Sequence, residues 1–257
     1  MTKRKTPEKL AMMAEGGQRL GRILSRLLEE ARPGVKLVTL DQRASSLIAE
    51  SGGTPSFQTV KGYHWATCLC VNEVVVHGVP SQYVLKEGDV LTIDVGMLYA
   101  GFHTDTAWTK IVHGSSSPVD RKKEIFLKTG KVALADAIAV AKVGNHVGHI
   151  SRAIAEVIGG AGFSIVRSLV GHGVGRQLHE SPQVPGFLAG KIENTPKLEV
   201  GMTIAIEAIY AMGKGAVVYD NKDGWSVATA DGSLSAVFEH TIAVTAREPR
   251  ILTKGKQ

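Results

Sequence analysis

The sequence predicts an α+β fold in which a mixed, mostly antiparallel sheet is covered by helices. Three observations carry that prediction. Helix-like and strand-like segments are mixed along the chain without the regular alternation of βαβ units. Two long β-branched runs flank Tyr99-Ala100-Gly101, a composition suited to a tight hairpin turn. The C-terminal third reads as apolar strands separated by glycines, and no internal repeat stands out.

Each element has its own signal. An N-terminal helix is expected from about Thr6 to Ala31, with Thr6 as N-cap, Pro7 at the first helical position and Gly34 beyond its end. A second begins near Thr39, where Thr-Leu-Asp-Gln has capping-box spacing, and reaches about Ser51, where Gly52-Gly53 stop it. Strands are expected over roughly 67–71, 74–77, 89–98 and 102–112. Ser117-Pro118-Val119-Asp120 then starts a long helix to about Lys142, and another follows near 147–160.

At 257 residues and 44% hydrophobic content the chain can bury one large core, and no Pro/Ser-rich or charged linker divides it. A single domain over 1–257, with a short N-terminal helical segment, is the expectation. MTKRKTPEKL is basic but lacks the apolar stretch of a secretion signal, and no apolar run approaches the roughly 20 residues that span a bilayer. A cytoplasmic protein with no membrane partner follows. Cys68 and Cys70 are the only cysteines, which excludes a disulfide scaffold and makes reduced thiols the default. The net charge of +6 is modest and dispersed, apart from Lys3-Arg4-Lys5, Lys254 and Lys256.

The chemistry lies in five residues with distinctive settings: Asp94 in GDVLTIDVG, Asp105 in GFHTDT, His172 in GHGVGRQLHESP, Glu207 after GMTIAI and Glu239 in SAVFEHTIAV. Period-2 alternation puts Leu91, Ile93 and Val95 on one face of the first hairpin arm and Asp94 on the other, so that Asp94 and Asp105 point to a common side from nearly opposite places. Four carboxylates match the charge of two divalent cations, whereas one ion would leave two buried negative charges uncompensated. Oxygen ligands with one imidazole suit Mn, Fe(II) or Co, with Zn also admitted, in a two-metal hydrolase. Taken singly, any of these acids is more readily a turn or cap residue; the combination argues for metal.

These motifs, with NEVVVHGVP (Asn72 to Pro80) and KTPEKLAMMAEGGQRLGRIL near the start, resemble the type I methionine aminopeptidases of the peptidase M24 family, in register and order over nearly the whole chain. The resemblance implies a pita-bread (creatinase/aminopeptidase) fold, without the zinc-finger extension of some relatives. It implies one catalytic domain that removes the initiator methionine from nascent proteins through a hydroxide activated by a dinuclear metal centre. Asp94, Asp105, His172, Glu207 and Glu239 would be the ligands, Glu207 also the proton shuttle. His77 and His179 would flank the metals, bonding the scissile amide and the tetrahedral intermediate, with His179 at the developing oxyanion. The methionine pocket would comprise Phe57, Tyr63, Cys68, Leu178 and Trp225, although residues of these types are ordinarily buried as core. His64, His103 and His240 lie near the motifs and are read as structural.

The implied partners are nascent polypeptide N-termini, with the ribosome near its exit tunnel as a further one, no DNA, and a monomeric state. The basic balance suits docking at ribosomal RNA and ordinary solubility equally. Three positions depart from the family pattern: Ala208 where proline is usual, Val237 where glutamine is usual, and Leu178 where phenylalanine is frequent. None removes a ligand, but pocket shape and methionine selection come into question. The rivals are an X-Pro-type peptidase of the same fold, disfavoured by NEVVVHGVP and SAVFEHT, and a non-catalytic ribosome-associated homologue, disfavoured by the intact ligand set.

Overall fold

The computed structural model describes residues 4–114, 120–219 and 223–256. Two helices, α1 (Pro7–Glu30) and α2 (Leu37–Glu50), precede strands β1 (Thr54–Pro55), β2 (Thr67–Val71), β3 (Val74–Val76), β4 (Val90–Tyr99) and β5 (Phe102–Ile111). Helices α3 (Arg121–Ala139) and α4 (Val147–Gly160) follow. The remainder is β6 (Ser164–Ile165), β7 (Gly171–Gly173), β8 (Glu180–Val184), β9 (Thr203–Ala211), β10 (Val217–Tyr219), β11 (Val227–Thr229), β12 (Ser235–Ala243) and β13 (Arg250–Ile251). Every strand pair among the described residues is antiparallel, in keeping with the expected α+β class.

Thr6 and Pro7 start α1 as expected. The second helix begins two residues before Thr39, with Lys36 as its N-cap. Its first free amides are taken by the backbone of a neighbouring loop: Leu37 N–H donates to Tyr83 O and Val38 N–H to Ser81 O, each at 3.0 Å. The Thr-Leu-Asp-Gln stretch is therefore not a capping box. Asp41 of that stretch instead accepts hydrogen bonds from Ala66 N, Thr67 N and Thr67 Oγ1 at 2.8–2.9 Å, tying α2 to the start of β2. Asp120 caps α3 by accepting from Lys122 N, while Ser117–Val119 lie outside the described residues. The helix stops at Ala139 rather than near Lys142, because Asn145 Nδ2 takes the Val140 carbonyl and the chain turns through Gly144 at φ +90°.

Two layers of core fix two sheets. Leu91, Ile93, Val95 and Met97 on one face of β4 pack under Leu20, Leu24 and Leu27 of α1 and Leu40 and Ile48 of α2. Ile204, Ile206, Ala208 and Tyr210 of β9, with Phe238 and Ile242 of β12, face Phe126 and Leu134 of α3 and Ile150 and Ile154 of α4. Burying a side chain of this size stabilises by about 1.5–3 kcal/mol, so these stripes decide which face of each strand turns away from the helices.

Threonines stitch the sheets together where β5 meets β12. Thr106 Oγ1 donates to Glu239 O, Thr109 Oγ1 to Val237 O, and Thr241 Oγ1 to Asp105 O, all at 2.8 Å. Thr241 Oγ1 also accepts from Asp105 N, and Thr109 Oγ1 from Val237 N. This seam brings the hairpin that carries the aspartates against the strand pair that carries the glutamates.

Candidate metal centre and active-site cavity

The β4–β5 hairpin closes through Ala100 and Gly101, whose φ angles of +49° and +78° are the paired positive values of a two-residue turn. Register then pairs Asp94 with Ala107 and Asp105 with Gly96. The two aspartates are thus diagonal neighbours on one face. On the other sheet Glu207 and Glu239 are direct cross-strand partners. Because Ile206 and Ala208 face the helices, alternation aims Glu207 at the aspartates.

His172 enters from β7, which runs between β8 and β9. A side chain at Gly173 would place its Cβ 2.3 Å from Ser181 O, and one at Gly171 2.5 Å from Ala205 O, so only glycines on either side admit this histidine so close to its neighbours. Its Nδ1 lies 2.9 Å from Gly173 O, which fixes Nδ1 as the donor and leaves the Nε2 lone pair directed at the acids, 3.8 Å from Glu207 Oε1. Loss of water and the neighbouring His179 lower its pKa to about 4, keeping it neutral.

The donor set fits divalent metal. Ligand atoms of Asp105, His172 and Glu239 all lie within 4.8 Å of one another. Asp94 Oδ1 and Glu239 Oε1 are buried without a hydrogen-bond partner, which is costly unless a cation supplies one. Desolvation raises all four acids: Asp105 to about 7, Glu207 to about 8 with help from Asp105, and Asp94 and Glu239 well above the carboxylate range, with the charges of Asp105 and Glu207 beside both. Such a cluster demands positive charge.

The five residues line one cavity of about 550 Å³ together with His77 and His179. Both residues keep exposed surface, and their partial loss of water lowers their pKa values, for His77 with a contribution from His179. His77 follows β3 at φ +56°, a left-handed conformation that non-glycine residues adopt at a cost and that recurs at functional sites. The rings of His172 and His179 lie 4.3 Å apart. His103 and His240 take structural places, bonded to Ser56 Oγ and Thr253 Oγ1 respectively.

The apolar end of the cavity holds Phe57, Tyr63, Cys68, Leu178 and Trp225 in one cluster. Tyr63 lies edge-on to Trp225, ring centres 5.1 Å apart, and its hydroxyl donates to Thr67 O. Burial raises the pKa of the Cys68 thiol well above the ordinary value and that of Cys70 to about 12, so both are neutral. Of the three departures from the family pattern, Leu178 alone lines the cavity. Ala208 packs toward α3 and α4, and Val237 packs with Ile209 and Val75.

Sequence reasoning missed several wall residues, among them Val60, Leu169, Gln183 and Ile209. It also missed a buried ion pair: Lys5 Nζ donates to Glu180 Oε2 and to Val174 O, each at 2.8 Å, with both side chains nearly fully enclosed. That pair ties the N-terminal segment to the residue after His179. Glu180 stood beside a candidate histidine, but no spacing rule connects it to position 5.

Residues 11–246 match the profile of metallopeptidase family M24. The chain is 40% identical to methionine aminopeptidase 1 of Bacillus subtilis over 97% of this chain and 98% of that one, and 39% identical to the methionine aminopeptidase of Clostridium perfringens over 97% of each. The crystal structure of methionine aminopeptidase from Thermotoga maritima superposes with a TM-score of 0.94 at 37% identity, covering 99% of this chain and all of that one. The prolidase of Pyrococcus furiosus has a TM-score of 0.78 at 22% identity and covers 99% of this chain but 66% of its own, which is a likeness of fold. Close identity along the full length, on a pita-bread scaffold that gathers four acids and a histidine, places this chain in metallopeptidase family M24, among the methionine aminopeptidases.

Proposed function

We propose that this chain removes the N-terminal methionine from nascent polypeptides in the cytoplasm, as a monomeric single catalytic domain working beside the ribosome. The observation that carries the reading is one cavity in which four carboxylates and an imidazole, two acid oxygens among them without a protein partner, adjoin a pocket of aromatic rings and sulfur. The similarity to proteins named methionine aminopeptidases supports the substrate class.

Asp94, Asp105, His172, Glu207 and Glu239 would hold two divalent ions, since four carboxylates balance two such charges; the oxygen-rich set favours Mn, Fe(II) or Co, with Zn admitted. When bound, such ions supply Lewis-acid polarisation of a carbonyl and a lowered pKa for water. The metal-loaded cluster would anchor a free α-amino group, which confines the cut to the first peptide bond. His77, neutral near pH 7, donates to the scissile amide region. His179 donates to the carbonyl oxygen as negative charge develops there. Glu207 takes a proton from the attacking water and passes it to the departing nitrogen. Tyr63, Trp225, Phe57, Leu178 and Cys68 enclose the flexible, polarizable thioether.

The test strips metal with a chelator, restores Mn, Fe(II), Co or Zn separately, and follows release of the first residue from Met-Ala-Ser, Leu-Ala-Ser and Ala-Pro-Ala. Metal-dependent release of methionine alone is expected. Release of leucine as well would show that Leu178 relaxes selection, cleavage only before proline would favour an X-Pro-type peptidase, and no release with metal bound would leave a non-catalytic ribosome-associated role. His77→Ala is expected to stay folded and metal-loaded with kcat at least about tenfold lower; an unchanged kcat would make His77 a structural residue.

Among the described residues no helix is long and apolar enough to cross a bilayer.

A further inference from the structure

Strand pairing arranges the cavity in a row. Cys68 pairs with Asp94 on one sheet; Asp105 follows on β5; across the seam Glu239 pairs with Glu207, and beyond them Ala205 pairs with His172 and His172 with Gln183. The apolar pocket lies at the Cys68 end. At the other end lies β8, the outermost strand beside β7, with a side of its backbone not covered by another strand of the sheet.

Val174 N–H donates to Thr203 O at 3.0 Å, so residues 172 and 174 direct their backbone groups at β9, while Gly171 and Gly173 direct theirs at β8. Opposite Gly171 stands Val184, which therefore bonds inward to β7. Alternation turns the N–H and C=O of Gln183 outward. Gln183 is exposed, and Ser181 and Gln183 line both the active-site cavity and a neighbouring groove of about 500 Å³ walled by Pro182, Asn194, Thr195 and the start of α4.

We propose that the outer edge of β8 is the track for the substrate beyond the scissile bond: the downstream peptide adds as an extended strand, exchanging backbone hydrogen bonds with Gln183. The occupant follows from continuity. A peptide whose first side chain fills the Cys68 end must leave the cavity past the carboxylates, and the open groove at the far end begins at Gln183. Two strand spacings of ~4.8 Å separate the strand of Glu207 from β8, about 10 Å, which an extended peptide at ~3.3 Å per residue covers in about three residues. Strand addition reads backbone rather than side chains, which suits an enzyme that must accept many different protein sequences after the first residues.

This inference rests on the proposed aminopeptidase reading, and its test separates the two. With the metal-loaded enzyme, kcat/KM is measured for methionine release from Met-Ala-Ser and its extensions to six residues, and from six-residue peptides N-methylated at one amide at a time from the third residue onward. The expected result is a rise of about tenfold from three to six residues, abolished by N-methylation at the one amide that donates to the Gln183 carbonyl and unaffected by it at the other positions. Equal kcat/KM at all lengths, or a length gain indifferent to every N-methyl group, overturns the strand-addition track while leaving the aminopeptidase reading intact. No methionine release from any peptide overturns that reading and the track with it.

Discussion

The junction of α2 with β2 and the floor of the cavity both enclose carboxylates, yet they satisfy them in opposite ways. One oxygen of Asp41 collects three hydrogen bonds, from Ala66 N, Thr67 N and Thr67 Oγ1, and the acid leaves no fully buried oxygen without a partner. Asp94 and Glu239 each leave a buried oxygen with no protein partner, beside two further acids. An acid that finishes its bonds locally holds the fold; acids gathered with bonds unfinished await a cation. Burial alone does not separate the two kinds, because desolvation raises the pKa of Asp41 as it does those of the cavity acids. Partner counting does.

The sharpest way to break the comparison is to neutralise one acid of the cluster. Asp105→Asn keeps the shape and the acceptor for Thr106 N. We expect metal content by elemental analysis to fall below two ions per chain and methionine release to fall at least about a hundredfold, at or beyond the upper end of the 10–100-fold range typical of losing a ligand's outer partner. Full metal content with retained activity would remove Asp105 from the ligand set.

Next is the pH dependence of the metal-stripped protein. The folded-state pKa values of Asp105 and Glu207, about 7 and about 8, lie above the unfolded values of ~3.9 and ~4.3. These two acids bind more protons in the folded chain than in the unfolded one, while the lowered pKa values of His172 and His240, about 4, act in the opposite sense below the ordinary histidine value of ~6.5, so the acids alone set the slope between about pH 6.5 and pH 8, where stability falls as pH rises. Denaturant melts at pH 6.5 and pH 8 should differ by ~2 kcal/mol in favour of pH 6.5, and saturating divalent metal should cancel the difference. A metal-free protein equally stable at both would mean the acids are not held together as described.

Asp41→Ala tests the other side. It strands two backbone amides and a hydroxyl, and we expect a loss of ~3 kcal/mol in unfolding free energy with metal stoichiometry per folded chain unchanged. If metal binding fell with stability, Asp41 would belong to the site rather than the scaffold.

What the sequence revealed divides along the same line. The hairpin, its alternation and the five ligand candidates were legible because each sits in a local pattern: two aspartates eleven positions apart about a turn, a histidine between glycines, glutamates on β-branched runs. The ion pair of Lys5 with Glu180 and the place of Gln183 at a sheet edge were not, because they depend on which strands become neighbours across long stretches of chain. The departures at Ala208 and Val237 looked like pocket changes in the sequence and prove to be core positions for the same reason.

The smallest expected effect concerns the misread helix start, where local pattern and tertiary context disagree. Thr39 stands where a capping box would put its cap, but the helix already runs through it, its side chain is exposed, and the first amides of α2 are taken by Ser81 O and Tyr83 O. A true cap lost to alanine costs about 0.5–2 kcal/mol. Inside a helix, exchanging a β-branched residue for alanine gains up to ~0.7 kcal/mol. Thr39→Ala should therefore leave the thermal midpoint unchanged or slightly raised, and a clear drop would mean that in solution the helix starts where the local pattern puts it. Set against Asp41→Ala, two positions along the same helix, this neutral change would show that the value of the Thr-Leu-Asp-Gln stretch lies in its third residue and in what that residue reaches across the fold.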